Sequence, residues 1–491
     1  MSWLIYAAVA LPLVMAVLVL LGGRRSMLDE VAASLASAGV LAIGITLAVH
    51  TQRHGVLVAG NGWFRVDALS AFVLITIAGS ALAAQLYAVG AFEPAERGTG
   101  IDPDAGQKFR FLGQLFLSSL AVMVMAGNLG GLWIALEGTL LTSALLVGFN
   151  RRTTSLEAAW KYVIIGTVGL GLALFGTVLL YVAAHSAGAD GLDALRWQHA
   201  IAGALDVRMV KIGFVFALVG FGTLAGLAPM HLWRPDAFRA APTPVSALLA
   251  GCLAPASLYA VFRLHHVAAQ SIGPALPSML LRGFGLTSLV VAALFVLVQR
   301  DLKRLLAFSS IEQAGFAVLG VGFGGRLAVT GAILHLLSHS MALVLSYLVA
   351  GDLEARYRTR NMLRIRGALT AAPGSARVLV VATAAVVGVP PFLTFSSRFL
   401  IIYGGVERGH TVEACLALAL SAVVLSSFAR FVGAMTLGEA APSRKPEGRF
   451  RWGASTLTMV ALGALALLLG IALPGPLRAL FGAAADALGV V

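Results

Sequence analysis

The chain has 491 residues, of which 59% are hydrophobic and 12% charged, and its mean hydropathy is +0.90. Soluble domains carry roughly 25% charged residues, so the composition excludes a soluble enzyme and indicates a polytopic membrane protein. The net charge of +13 does not indicate nucleic acid, because the basic residues lie between apolar runs and in no foldable polar domain.

Crossing a hydrocarbon core of about 30 Å takes roughly 20 helical residues. The apolar runs are long and continuous, unlike the short alternating strands of a barrel, and predict an all-α fold. In chain order about fourteen spans are expected. They are 3–21, 31–49, 67–90, 111–127, 130–149, 160–183, 208–230, 244–262, 280–298, 303–322, 327–350, 377–403, 411–435 and 455–475. The first has no basic leader and no small-residue cleavage site, and reads as a retained span. The longest polar connections, 92–110, 184–207, 351–376 and 437–454, are too short for a sizeable catalytic domain. Cys252 and Cys415 lie in apolar runs and read as small buried hydrophobes, with no disulfide framework or metal motif.

Basic residues set the expected topology. With the N-terminus outside, 24 of the 35 Lys and Arg fall on inward-facing loops and helix ends. Arg24, Arg25, Arg151, Arg152, Arg300 and the run from Arg356 to Arg366 are among them. An even number of spans then leaves both termini outside, and the inner surface faces anionic lipid.

Two spans are interrupted. In KIGFVFALVGFGTLAGLAPMHLWRPDAFRAAPTPVSALL, starting at Lys211, a Gly-x-x-Pro break falls at Gly226–Pro229 and the helix restarts after Pro242 and Pro244. In VLVVATAAVVGVPPFLTFSSRFLIIY, Pro390 and Pro391 interrupt the run and Arg398 follows seven residues later. A helix break frees backbone groups that hydrocarbon cannot satisfy, so such a segment is buried or lines a cavity. Two similar breaks in one chain predict two halves built alike, with ion paths at the breaks.

Ionisable residues at membrane depth are costly and mark candidate sites. Glu137 sits mid-span and reads as a proton-relay or charge-coupling group, or else as half of a structural ion pair. Lys161 opens the next span and reads as a relay member approaching from a neighbouring helix, or as a snorkelling lysine. Lys211 reads as a relay lysine or an end anchor. His231 lies just past the first break, facing water or held by a structural hydrogen bond; Trp233 and Arg234 beside it look interfacial. His335 and His339 are one turn apart on one helix face, and imidazole titrates near neutral pH. Proton transfer is the preferred reading over a satisfied core pair, and a metal site lacks a completing Asp, Glu or Cys. Arg398 cannot release a proton; it can set a field or pair with a carboxylate. Asp301 suits a helix start, with Lys303 and Arg304 as topology signals.

Several stretches in order resemble one family: WIALEGTLLTSALL, LEAAWKY, VGFGTLAGLAPMHLWRPDAFRAAPTPVSALLAG, DLKRLLAFSSIEQAGF, HLLSHSMALVLSYLVAG and GVPPFLTFSSRF. The chain resembles, over roughly residues 60–435, the antiporter-like membrane subunits of respiratory complex I, Mrp antiporters and membrane-bound NiFe hydrogenases. The hydrogenase-4 component F branch is nearest in pattern. The resemblance implies fourteen helices in two inverted five-helix repeats, with helices seven and twelve broken. It implies a three-helix segment and loop over 1–110, repeats over 111–262 and 280–435, and a last loop and helix over 436–491. It places the family's glutamate on Glu137, its histidine pair on His335 and His339, and its helix-twelve ionisable residue on Arg398. The usual lysines of helix seven and of the turn after the second histidine are replaced by Leu224 and Leu343. Lys211 lies about 13 residues, some 20 Å, before Leu224 and cannot simply substitute.

The function implied is a membrane subunit of a bacterial plasma-membrane oxidoreductase, coupling proton movement to redox chemistry in partners. This chain would hold no cofactor. Partner membrane subunits and a cytoplasm-facing arm would hold iron–sulfur clusters or a NiFe centre. Two other readings stand beside it. One is a degenerate, non-pumping anchor, motivated by Leu224 and Leu343; the other is an ion or inorganic-carbon transporter with a non-redox partner.

Overall fold

The computed structural model describes residues 1–22, 27–92, 104–150, 152–189, 191–196, 205–437 and 453–489. Several of the loop arginines expected on the inner side, among them Arg24, Arg25, Arg97, Arg151 and Arg444, lie outside the described residues.

The elements are almost all helical. The first three helices are α1 (Trp3–Leu21), α2 (Met27–His54) and α3 (Ala68–Ala91), with a hairpin of β1 (Leu57–Ala59) and β2 (Phe64–Val66) between the last two. Then come α4 (Ala105–Met125), α5 (Leu129–Gly148), α6 (Thr153–Ser186) and α7 (Val207–Ala225). After the first break run α8 (Trp233–Ala240), α9 (Thr243–Leu248) and α10 (Ala254–Ile272), the last two joined by a π turn at Leu249–Leu253. The second half holds α11 (Ala275–Val296), α12 (Leu302–Phe323), α13 (Gly325–Tyr357) and the short α14 (Ala368–Ala371). α15 (Pro373–Val387), α16 (Leu393–Glu407), α17 (Thr411–Leu437), α18 (Ala454–Ile471) and α19 (Gly475–Asp486) complete the chain.

Among the described residues, thirteen segments are long and apolar enough to cross a membrane. The predicted span 377–403 is cut by the proline pair into α15 and α16, each 15 residues and too short alone. The sequence reading misses the hairpin, and it also misses α19, whose Phe481 packs edge-on against Phe72 of α3 at 5.2 Å.

Local sequence sets the helix starts. Asp67, Asn128, Asp206 and Asp301 each accept backbone N–H bonds at the N-caps of α3, α5, α7 and α12. Asp301 thus does what the sequence suggests. Lys303 does more than mark topology: it is buried, bonded to the Ala241 carbonyl and paired with Glu354 at 3.2 Å.

Packing follows side-chain size. α6 and α7 lie against each other through Gly169, Ala173 and Gly176 on one side and Gly213, Ala217 and Gly220 on the other. A methyl group at Gly220 would sit 2.4 Å from the Ala173 nitrogen, and one at Gly176 would sit 2.5 Å from Ala217 N. Such small-residue stripes let helix backbones approach closely in a membrane. The apolar stretches of α9–α10 and α12 are buried along their whole length and that of α13 nearly so, whereas α17 and α18 bury only about a quarter of theirs. The polar residues in the middle of α12 and α13, from Ser309 to Gln313 and from His335 to Ser340, are therefore buried inside the protein. Cys252 is buried as expected; Cys415 is exposed, because it lies on the outer face of α17.

Candidate functional site

Both helix breaks are built the same way. α7 ends at Gly226 with φ of 68°, and α15 ends at Gly388 with φ of 76°. These are left-handed positions that favour glycine and close a helix C-terminus. At the first break Arg234 Nη2 donates to the carbonyl of Ala225 at 2.8 Å. At the second, Arg398 Nη1 donates to the carbonyl of Val387 at 3.1 Å. Each arginine thus fills the residue just before the left-handed glycine. A cation there also suits the negative end of the helix dipole.

Neighbours complete each break. Trp233 Nε1 donates to Thr223 O at 2.8 Å and Ser288 Oγ accepts from Ala228 N at 2.9 Å. Gln313 Nε2 donates to Val386 O at 2.8 Å. Trp233 and Arg234 are fully buried, with Trp233 stacked on Tyr162 at 4.2 Å. The expectation that they are interfacial is corrected: the broken helix needs their donors inside the protein, where water cannot supply them.

One helix serves both breaks. From α12, Ser310 accepts Arg234 Nη1 through its Oγ at 2.9 Å and its carbonyl at 3.2 Å. Two residues on, Glu312 forms an ion pair with Arg398 at 3.1 Å. Arg398 also lies over the Phe316 ring at 4.8 Å. Arg398 therefore pairs with a carboxylate, as the sequence reading allowed, but the partner was not foreseen. An acidic residue inside a predicted span was the available signal.

His335 and His339 face inward from α13, with ring centroids 6.4 Å apart. His335 Nδ1 is hydrogen-bonded to Ser397 Oγ at 2.8 Å, and Ser397 donates to Thr394 O. Ser397 and Arg398 thus bring α16 against both the histidine and Glu312. His339 is fully buried and neither ring nitrogen has a hydrogen-bond partner among the described residues. Leu224 and Leu343 are fully buried.

The remaining sequence candidates are spread out. Glu137 is half-buried on α5, with no hydrogen-bond or ion-pair partner among the described residues. Lys161 pairs with Glu157 at 2.7 Å and Asp236 at 3.5 Å, not with Glu137, and is half exposed. It borders a cavity of about 350 Å³ with His231, Asp236, Arg304, Phe295 and Phe308, so His231 does face a cavity next to the first break. Lys211 is exposed in the second turn of α7, away from the break. Among the described residues no group of three or more His, Cys, Asp or Glu could hold a metal.

The pattern of the family described as "NADH:quinone oxidoreductase/Mrp antiporter, TM" matches residues 126–426, which hold both breaks. A "Hydrogenase-4 component F homolog" of Methylacidiphilum infernorum is 36% identical over 366 residues, 73% of this chain and 76% of that one. An "NADH-quinone oxidoreductase subunit N" of Desulforudis audaxviator is 30% identical over 75% of this chain and 71% of the relative. A chain of the Mrp complex from a Dietzia species has the same fold, with a TM-score of 0.87 at 21% identity over 99% of this chain and 98% of its own. With an almost wholly helical fold, two broken helices and these matches, the chain belongs to the NADH:quinone oxidoreductase/Mrp antiporter family of membrane subunits.

Proposed function

We propose that the chain carries protons across a bacterial plasma membrane as one subunit of a redox-driven complex. The observation that carries this reading is the buried His335–His339 pair beside the second break, with hydrogen-bonding capacity on His339 left open. Imidazoles change charge near neutral pH, and polar groups kept inside a membrane protein mark ion paths. The names of the relatives supply the class of complex. Partner membrane subunits and a cytoplasm-facing arm, carrying iron–sulfur clusters and in some complexes a NiFe centre, would supply the redox step.

In this reading a change of charge in a partner shifts the proton affinity of groups facing it, because a nearby charge favours the opposite ionised state. Glu137, partly open and without a partner among the described residues, is the group poised to respond. The cavity bordered by Lys161 and His231 is the entry from the cytoplasm. Lys211 is assigned an anchoring role, since it is exposed a full helix away from the buried groups. The basic loops face the cytoplasm and anionic lipid, leaving both termini outside. The segments 111–262 and 280–435 form the two repeats, each with one break.

The buried Leu224 and Leu343 favour a second reading, a structural anchor that no longer pumps, since leucine carries neither proton nor charge. Gentle purification of the tagged chain with its partners, followed by redox-driven proton uptake in vesicles, separates the two. Glu137→Gln with assembly intact abolishes uptake in the first reading. Undiminished translocation in that variant sinks the assignment. A carbon-hydrating partner in place of redox subunits points instead to an ion or inorganic-carbon transporter.

A further inference from the structure

Glu312 is fully buried on α12. Its carboxylate meets one cation, Arg398, and has no other hydrogen-bond donor among the described residues. Ser309 Oγ, Gln313 Oε1 and both nitrogens of His339 are also buried without partners. All of these atoms sit on the two neighbouring helices α12 and α13. Buried polar atoms in native proteins nearly always bond to protein or ordered water. Unpartnered polar atoms on two packed helices are the kind of groups that buried water satisfies.

Three groups reach the stretch of α12 around Glu312 from other helices. Arg398 reaches it from α16. His335 lies 5.9 Å from the Phe316 ring that Arg398 also covers, so the first histidine of the α13 pair meets the same ring as the guanidinium. Arg234, after the first break, bonds Ser310 two residues away on α12. An arginine does not exchange protons, and both family lysines are leucines here. Among the described residues that leaves Glu312 as the buried carboxyl on the helix packed against the histidines.

We infer that Glu312 is a proton-binding group of this membrane path, exchanging its proton through buried water with the His335–His339 pair, with Arg398 as its fixed counter-charge. The inference rests on the proton-carrying reading above. In the loading step an O–H bond forms on the Glu312 carboxylate as one breaks on the donor water, which takes a proton from a protonated imidazole. Arg398 keeps its own protons throughout. With Glu312 neutral, the guanidinium still holds the Val386 and Val387 carbonyls and the Phe316 face. With Glu312 ionised, the ion pair forms again. Loading is thereby tied to the second break, since the same arginine caps α15.

The test uses the full chain in its assembled complex. Glu312→Gln leaves Arg398 without its partner and can disturb folding, so Glu312→Gln/Arg398→Gln is made beside it to remove both charges together. Redox-driven acidification of vesicles is expected to fall at least tenfold in both variants while assembly persists. Full translocation in the double variant overturns the inference, because the pair would then be structural. If the wild-type complex moves no protons, the reading under Proposed function fails instead. Infrared difference spectra on changing pH then still decide the role of Glu312: a carboxylic-acid carbonyl band absent from Glu312→Gln supports it, and an unchanged spectrum overturns it.

Discussion

Arg234 and Arg398, 164 positions apart, make the same bond: each donates to the carbonyl of the residue before a left-handed glycine, Ala225 or Val387. Each also leans on α12, through Ser310 or Glu312. The two broken helices therefore share one central strut, and a shift of α12 would be felt at both breaks.

Replacing Arg234 with leucine removes the donors to Ala225 O and to Ser310. A buried carbonyl left without a partner costs about 1–3 kcal/mol. Arg234→Leu is expected to destabilise the purified protein by roughly 2–4 kcal/mol on the same scale. Arg234→Lys should recover only part of this, since one ammonium cannot reproduce the planar fork. Equal thermal unfolding of wild type and Arg234→Leu in detergent would contradict the capping role.

The α6–α7 contact predicts a sharp contrast between two glycines. Gly220→Val drives a side chain into the Ala173 backbone, and it should cost more than about 3 kcal/mol or prevent folding. Gly171, exposed on α6 with nothing within 4 Å of an added Cβ, should accept alanine with a change below about 0.5 kcal/mol. Yields and melting curves of the two variants give the answer, and similar losses at both sites would show that α6 and α7 do not pack through this stripe.

Ser397 holds His335 at Nδ1. Ser397→Ala removes this bond and should lower stability by about 1 kcal/mol. Because the ring loses its orientation, proton translocation per electron should fall more than stability does. A variant that melts earlier but translocates at the wild-type ratio would make the bond purely structural.

Lys161 is half exposed, and its ion pairs with Glu157 and Asp236 lie at the edge of the cavity. Exposed pairs are screened and contribute little to folding. Lys161→Gln should leave the melting temperature unchanged while slowing proton uptake through this cavity. A large drop in melting temperature would mean the lysine is a structural post.

Much of the site was visible in the chain as residue types in apolar runs. His335 and His339 share a face because their spacing is one helical turn, and the structure keeps them together. Gly226 with Pro229, and Pro390 with Pro391, mark the breaks, because glycine and proline interrupt a helix. Arg234 is not legible as a buried cap, because Trp and Arg near a proline look like an interfacial pair when nothing says what covers them. Glu312 lies inside a predicted span, but its partner Arg398 is 86 positions away, and only packing brings the two together.

The sequence by itself determined that the chain spans a membrane many times as helices and where two of those helices break. Both follow from local properties: hydropathy over about 20 residues, and backbone chemistry at Gly and Pro. Only the tertiary structure decided which polar groups meet. Glu312 and Arg398 are 86 positions apart and pair at 3.1 Å, and Lys161 turns to Asp236, not to Glu137. The reason is physical: inside a membrane protein each freed carbonyl and each buried charge must find a partner in the fold, and that partner is chosen by helix packing across the whole chain.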